Sequence, residues 1–307
     1  MKLIDRNFVE VSPRDLAAEL VDPETLIQQG IELYRTGGLP RGDSTGFASL
    51  DAHYTVGLAQ VTVITGTPQA GKSEFLDAII VNLWRRGDWE FAIYSPENFP
   101  TVTHLVKLVE KELGKPFGPG RTPRMTEAEF YMTAVQLSER IVWLNPALKT
   151  PDELIETSLT FRTAGRKLGI VLDPWNTLDH ERRGLTETDY VCNTLTKVIR
   201  LARSANAHIW LVVHPAKMTR DRDRNRPVPT PYDLAGSAHW FNKLDNILCV
   251  HRDLADQYST SVDVHIQKVR HKHIGRIGLV ALTYDRVTGR YSDPAAADDY
   301  RRASDGE

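Results

Sequence analysis

From Thr45 onward, short apolar runs alternate with longer segments whose apolar residues recur at helical spacing. The short runs predict strands at 60–65, 90–95, 141–145, 169–174, 207–214 and 246–251, and the longer segments predict helices at 72–86, 102–113, 127–140, 152–168 and 187–205. Continuous apolar strands that alternate with amphipathic helices are typical of a mostly parallel sheet with helices on both faces. The pattern therefore predicts an α/β fold.

The pattern changes at both ends of this region. Residues 262–269 and 278–284 alternate between polar and apolar, which predicts antiparallel strands that extend the same sheet. Near the N-terminus, Asp22 and Pro23 predict the start of a helix that runs to about Tyr34. Its single apolar stripe needs a partner surface, on its own domain or on a neighbouring subunit. We expect an N-terminal extension with this helix at 1–44, a main domain at 45–293 and a flexible tail at 294–307.

Composition limits the possible classes of protein. A hydrophobic content of 41% and a charged content of 25% describe an ordinary globular chain, and the apolar runs are too short to cross a bilayer. The N-terminus has no apolar stretch of the signal-peptide kind, and Cys192 and Cys249 lie in apolar segments without metal-ligand spacing. These observations predict a cytoplasmic protein with no membrane partner. The net charge of −2 restricts any nucleic-acid contact to a local basic patch.

One motif predicts nucleotide binding. The residues between the strand at 60–65 and the helix at 72–86 are Gly66, Thr67, Pro68, Gln69, Ala70, Gly71, Lys72 and Ser73, which form the pattern G-x-x-x-x-G-K-S. In such a loop the backbone N–H groups and the helix N-terminus bind phosphate. Lys72 would reach the β- and γ-phosphates, and the Ser73 hydroxyl would ligate Mg²⁺. We call residues 66–73 the phosphate cradle.

Three polar residues follow predicted strands at the edge where an open α/β sheet binds its ligand. Glu97 follows the strand at 90–95 and is the candidate base for an attacking water. Asp173 ends an apolar strand in the manner of a Walker B site and would hold Mg²⁺. His214 ends the strand at 207–214 and is a candidate sensor of the γ-phosphate.

Two basic segments lie further along the chain. The first has the cations Lys217, Arg220, Arg222, Arg224 and Arg226 together with two carboxylates. It is either a mobile loop that contacts nucleic-acid phosphates or a solvated loop that neutralises its own charge. In the second, Lys268 and Arg270 lie two residues apart on one side of a strand, and such a pair can brace a γ-phosphate as an arginine finger does. His271 and His273 lack the carboxylates or thiolates of a convincing metal site.

Taken together, these motifs resemble the RecA-like helicase domain of the hexameric replicative helicases, the DnaB and Twinkle group, and most closely its Twinkle-like phage and bacterial branch. The resemblance extends from about Thr45 to Gly289. The segments that carry it are Ser95-Pro96-Glu97-Asn98, Leu172-Asp173-Pro174-Trp175-Asn176, Val213-His214-Pro215-Ala216-Lys217, Asn242-Lys243-Leu244-Asp245-Asn246 and Val250-His251-Arg252. The most specific segment is residues 229–240, PTPYDLAGSAHW.

The resemblance implies a RecA-like P-loop NTPase core and a ring, usually of six copies, that hydrolyses ATP or another NTP with Mg²⁺ between subunits. It implies movement along single-stranded DNA and duplex unwinding. Glu97 would be the catalytic carboxylate, Asp173 the Walker B residue and His214 the phosphate sensor. Lys268 and Arg270 would reach the nucleotide site of the neighbouring subunit. Arg252 and Tyr284 would enclose the nucleobase. The basic loop would bind DNA in the pore, and the helix at 23–35 would dock on the adjacent subunit.

Family members usually carry a further N-terminal domain that forty residues cannot hold, so we do not expect priming by this chain. A polymerase, a separate primase or a loader are the expected partners, in a bacterial cell or a phage-infected host. Two other functions share the motifs. One is a RecA- or RadA-like recombination ATPase, and the other is a nucleotide-gated loader or scaffold without turnover.

Overall fold

The computed structural model describes residues 3–4, 10–11, 21–148, 150–178, 184–216, 227–235, 238–253 and 258–294. The chain divides into two compact units, residues 1–41 and 42–307. The smaller unit contains the antiparallel pair β1 (Leu3–Ile4) and β2 (Glu10–Val11) and the helix α1 (Pro23–Arg35). Asp22 caps α1 by accepting a hydrogen bond of 2.9 Å from the Thr25 N–H, and none of the residues of α1 is buried. The predicted start of this helix at Pro23 agrees with the structure.

A nine-stranded sheet forms the larger unit. Its strands in chain order are β3 (Val61–Thr65), β4 (Trp89–Tyr94), β5 (Ile141–Trp143), β6 (Lys167–Leu172), β7 (His208–Val212), β8 (Asn246–His251), β9 (Ser261–Val269), β10 (Gly278–Tyr284) and β11 (Tyr291–Ser292). The order across the sheet is β11-β10-β9-β8-β3-β7-β6-β4-β5. The six neighbouring strands β8, β3, β7, β6, β4 and β5 pair in parallel. The strands β9, β10 and β11 extend this sheet from β8 by antiparallel pairing. The predicted fold class is confirmed.

Helices cover both faces of this sheet. Besides the short α2 (Ala48–Asp51), they are α3 (Lys72–Arg85), α4 (Val102–Leu113), α5 (Glu127–Ser138), α6 (Pro151–Thr160), α7 (Glu187–Ser204) and α8 (Ala238–Lys243). One hydrophobic cluster joins the sheet to α3, α4 and α5, and a second joins it to α6, α7 and α8. The strands are therefore buried on both sides, which explains their continuous apolar sequences. Among the described helices, none is long and apolar enough to cross a membrane.

The largest error of the sequence prediction is the helix at 152–168. The helix ends at Thr160, and β6 begins at Lys167 instead of residue 169. Gly165 adopts a φ of +84°, which is unfavourable within a helix, and Glu90 Oε1 accepts a 2.6 Å hydrogen bond from the Thr163 N–H. The predicted strand at 207–214 is also too long, because β7 ends at Val212. The short elements α2, α8 and β11 were not predicted.

The parallel strands direct their carboxyl ends to one edge of the sheet. The phosphate cradle follows β3, which lies between β7 and β8, and Asp173 follows β6 directly. Glu97 and His214 follow the ends of β4 and β7 by two or three residues. The topology therefore gathers the predicted site at one edge.

Candidate nucleotide site

At Gly66 and Gly71, the phosphate cradle has backbone conformations that favour glycine. Gly66 has a φ of +151°, and a Cβ at this position would lie 2.1 Å from the carbonyl oxygen of Val250. Gly71 has a φ of +92° and immediately precedes α3. Because α3 has no side-chain cap, the N–H groups of its first turn remain available to an anion.

Lys72 is buried within this loop with only 6% of its surface exposed. Its ammonium group donates to the carbonyl oxygens of Gly66 at 3.1 Å and Thr67 at 3.2 Å. Burial lowers the pKa of Lys72, while the negative charges of Asp173 and Glu97 act against this. A buried cation beside open backbone N–H groups fits the phosphates of a nucleotide.

Asp173 and Ser73 form the part of the site that fits a metal ion. Asp173 is buried with 5% exposure and accepts a hydrogen bond from the Ser73 side chain. Burial raises the pKa of Asp173 to about 6, although the hydrogen bond from Ser73 lowers it. A hydroxyl and a carboxylate that already face each other are oxygen ligands of the kind that Mg²⁺ prefers. These residues therefore fit the metal that the sequence predicted.

Glu97 and His214 lie at the open side of the cradle. Their side chains approach to 3.9 Å between His214 Nε2 and Glu97 Oε1, and 58% of the Glu97 side chain is exposed. The His214 N–H donates to Asn176 Oδ1 at 2.8 Å, which holds the backbone of this segment. Burial lowers the pKa of His214, and the positive charge of Lys72 lowers it further. The structure thus brings Glu97, Asp173 and His214 together around Lys72.

Arg252 and Tyr284, which were predicted to enclose the nucleobase of the bound nucleotide, contact each other. The Arg252 guanidinium lies 5.7 Å from the centre of the Tyr284 ring and donates to the carbonyl oxygen of Ser259 at 2.9 Å. Tyr291 was not predicted to take part. Its ring lies 5.0 Å from that of Tyr284, and its hydroxyl donates to the Gly71 carbonyl oxygen at 3.4 Å. Tyr291 therefore connects Tyr284 to the phosphate cradle.

Lys268 and Arg270 lie away from the cradle of their own chain. Arg270 Nε pairs with buried Asp245 at 3.0 Å, and Lys268 donates to the carbonyl oxygen of Phe241. Asp245 also accepts a 3.0 Å hydrogen bond from the Val61 N–H at the start of β3, whereas the cradle follows the end of β3. The five residues of this strand separate the two places by about 16 Å, which is more than an arginine side chain can span.

Two further predictions concern other parts of the chain. The cations of the basic loop, from Lys217 to Arg226, lie outside the described residues. His271 and His273 stack with their ring centres 5.4 Å apart. Across the described ranges, neither this pair nor any other position belongs to a group of three or more side chains that could hold a metal.

A buried pair behind the site was missed by the sequence analysis. His104 on α4 bonds Asp77 on α3 at 2.9 Å through Nε2, and the Trp143 indole donates to His104 Nδ1 at 3.3 Å. Burial lowers the pKa of His104, but the charge and hydrogen bond of Asp77, together with the negative charge of Asp173, raise this pKa above its ordinary value. Asp77 and His104 each lie on the buried face of their helix. A polar residue at such a position was the only signal in the sequence that could have predicted this pair.

Comparisons with known proteins agree with this geometry. No protein-family model matches the chain. The Twinkle homolog of Arabidopsis thaliana, a chloroplastic and mitochondrial protein, is 37% identical over 273 residues, which are 84% of this chain and 37% of the relative. The chain therefore spans little more than a third of that relative's length.

Three solved structures share the fold. The ATPase domain of G40P has a TM-score of 0.74 at 18% identity, with 89% of this chain and 99% of that chain covered. A DnaB-like replicative helicase, described with its interactions with primase, also has a TM-score of 0.74, at 19% identity over 91% of this chain and 70% of that chain. The RadB recombinase is less similar, with a TM-score of 0.54 and 12% identity over 81% of this chain and 98% of that chain.

The fold and the cradle define a RecA-like P-loop domain. Within this class, the chain is similar in sequence to a Twinkle homolog and similar in fold to the ATPase domains of DnaB-like replicative helicases. Nucleotide and Mg²⁺ use is general in this family.

Proposed function

We propose that the chain is an ATP-dependent DNA helicase that moves along single-stranded DNA and unwinds duplex DNA. The observation that carries this proposal is the placement of Lys72, Glu97 and Asp173 around one phosphate cradle, at the edge of a DnaB-type sheet. A protein that only bound nucleotide would not need an exposed carboxylate beside the cradle. The 37% identity to a Twinkle homolog also supports helicase function.

Each residue of the site has a separate role in the hydrolysis of ATP. Lys72 and the backbone of the cradle bind the phosphates, and Ser73 and Asp173 hold Mg²⁺, which when bound neutralises phosphate charge. Glu97 accepts a proton from water while the water oxygen attacks the γ-phosphorus, and the bond to the bridging oxygen of ADP breaks. His214, 3.9 Å from Glu97, responds to the loss of the γ-phosphate.

The assembly proposed for this activity is a ring of identical chains, six in the family pattern. Arg270 and Lys268 are out of reach of their own cradle, so they would act on the ATP of a neighbouring copy. The basic loop from Lys217 to Arg226 would contact single-stranded DNA in the pore. A polymerase, a primase or a loader would be further partners.

The test is DNA-stimulated ATP hydrolysis together with unwinding of a forked duplex. The unchanged chain should show both activities, and Lys72→Ala should lose ATP binding and turnover. Glu97→Gln should bind ATP but lose turnover by at least about 10²-fold, because the base is removed while the cradle remains. Wild-type turnover in Glu97→Gln would disprove the assignment of the base.

The same assays separate the other two functions. Strand exchange without unwinding would indicate a recombination ATPase, for which the RadB similarity provides a shared fold. DNA binding without turnover, at every nucleotide and DNA condition, would indicate a loader or scaffold. Either result would contradict the helicase proposal.

A further inference from the structure

Lys107 on α4 joins two parts of the nucleotide site that are distant in sequence. Its ammonium group donates to Asn98 Oδ1 at 2.9 Å and lies 3.0 Å from Glu74 Oε1. Asn98 directly follows the proposed base, Glu97, and Glu74 directly follows Ser73 of the phosphate cradle. One side chain therefore contacts the sequence neighbour of the base and the sequence neighbour of the metal ligand.

Hydrogen bonds of Asn98 stabilise the turn that contains Glu97. Its N–H donates to the carbonyl oxygen of Ser95 at 3.2 Å, and its side-chain amide donates to the Ser95 hydroxyl at 2.8 Å. Because 58% of the Glu97 side chain is exposed, core packing does not fix this carboxylate. Its position must then depend mainly on the backbone of the turn, and Lys107 attaches that turn to α4.

Glu74, the second partner of Lys107, is itself held by a buried residue. Glu74 also pairs with Lys111, which lies one turn further along α4 and is only 2% exposed. Burial lowers the pKa of Lys107, but the negative charges of Glu74, Asp77 and Asp173 raise it above its ordinary value. Lys107 therefore stays a cation at neutral pH. It bridges a fixed carboxylate on α3 and the turn that carries Glu97.

We propose that Lys107 is a positioning residue for ATP hydrolysis, which sets the place of Glu97 relative to the phosphate cradle through Asn98 and Glu74. This inference rests on the proposed function, in which Glu97 is the base. Displacement of a catalytic group by about 1 Å can reduce a rate by up to about 10²-fold. Lys72 and Ser73 do not depend on Asn98 for their position, so ATP binding should be retained.

The experiment measures kcat and KM for ATP in the DNA-stimulated reaction. Lys107→Met keeps an unbranched side chain and removes the charge and the hydrogen-bond donors. We expect kcat to fall about 10-fold with KM changed less than about 2-fold, and Lys107→Arg to recover most of the loss. Lys115→Met is the matched control, because Lys115 pairs with Glu129 at 2.5 Å away from the cradle and should leave kcat unchanged.

A double variant tests whether Lys107 acts through Asn98. If it does, Asn98→Ala should cause a similar loss of kcat, and the variant with both substitutions should lose little more. Losses that multiply, or a kcat that stays normal in Lys107→Met, would overturn the inference. An equal loss in Lys107→Met and Lys107→Arg, with a lowered unfolding temperature in both, would indicate a structural role and would also overturn it.

Glu97→Gln is measured beside these variants. If Glu97→Gln is inactive while Lys107→Met has normal kcat, the positioning inference alone is wrong. If Glu97→Gln keeps its turnover, the proposed base is wrong, and the positioning inference fails together with it.

Discussion

Gly66 shows how a single residue determines the shape of the cradle. Its φ of +151° lies in a region that L side chains rarely adopt, and a Cβ would lie 2.1 Å from the Val250 carbonyl oxygen. Because that oxygen belongs to the backbone of β8, it cannot move without disturbing the sheet. The first glycine of the motif is therefore required by the neighbouring strand as well as by the phosphate.

We expect Gly66→Ala to lower the free energy of unfolding by at least about 2 kcal/mol and to abolish ATP binding. Gly118→Ala is the control, since no atom lies within 4 Å of its added Cβ and its φ is ordinary. Urea unfolding and binding of a fluorescent ATP analogue measure the two effects. Tight ATP binding by Gly66→Ala would contradict the steric argument.

His208 connects the stability of the protein to pH. It is fully buried, its Nδ1 lies 2.6 Å from the Gly57 carbonyl oxygen, and burial lowers its pKa to about 4. The unfolded chain, with an ordinary histidine pKa, therefore binds a proton more readily than the folded chain does. The stabilisation is complete above the unfolded pKa of about 6.5 and is lost as the pH falls towards 4.

Between pH 7 and pH 5, this one residue should reduce the free energy of unfolding by roughly 2 kcal/mol. The Asp173 carboxyl acts in the opposite direction, because burial raises its pKa to about 6. Urea unfolding at both pH values should therefore be compared between the unchanged chain and His208→Gln, in which the His208 contribution is absent. Equal pH dependence in both would contradict this origin.

At the scale of the element, the sequence predicted most strands because their causes are local. The bounds of β8 and β10 match the prediction residue for residue. The polar residues Asp245 and Arg252 flank β8, and β10 begins at a glycine and is followed by Asp285. The helix predicted at 152–168 was too long because a distant carboxylate, Glu90, binds the Thr163 N–H. Strand ends likewise predicted Glu97 and Asp173, but the contacts of Lys107 with Asn98 and Glu74 depend on how α4 packs.

Asp245 is a contact between elements that no local pattern predicts. It is 1% exposed, accepts a hydrogen bond from the first N–H of β3 and pairs with Arg270, the residue that follows β9. Asp245→Ala would remove the carboxylate that pairs with Arg270 Nε and leave the Val61 N–H without its acceptor, so we expect a loss of about 3 kcal/mol in the free energy of unfolding. Lys197→Ala, which removes an exposed ion pair with Asp152, should cost less than about 1 kcal/mol.

Chemical denaturation measures both variants. Equal losses in Asp245→Ala and Lys197→Ala would show that the buried pair contributes no more than the exposed one. The same contact affects how an Arg270→Ala variant must be interpreted, because its inactivity could come from a weakened fold. A test of the finger has to separate these effects.

Subunit mixing provides that test at the scale of the whole molecule. Lys72→Ala and Arg270→Ala should each be inactive alone, because one lacks a cradle residue and the other lacks the finger. In a random equal mixture, about a quarter of the interfaces combine an intact cradle with an intact finger from the neighbour. The mixture should therefore hydrolyse ATP at about a quarter of the normal rate or less. No recovery in mixtures that contain both variants in one assembly would contradict action between subunits.

The strand β3, about 16 Å long, separates the Asp245–Arg270 pair from the cradle, and this has a consequence for dilute protein. If Arg270 and Lys268 act on the ATP of a neighbouring copy, as proposed, a single chain binds ATP but lacks two of the groups that hydrolyse it. The rate of ATP hydrolysis per chain then measures the fraction of chains that have assembled with a neighbour. It should rise steeply with protein concentration and level off once assembly is complete.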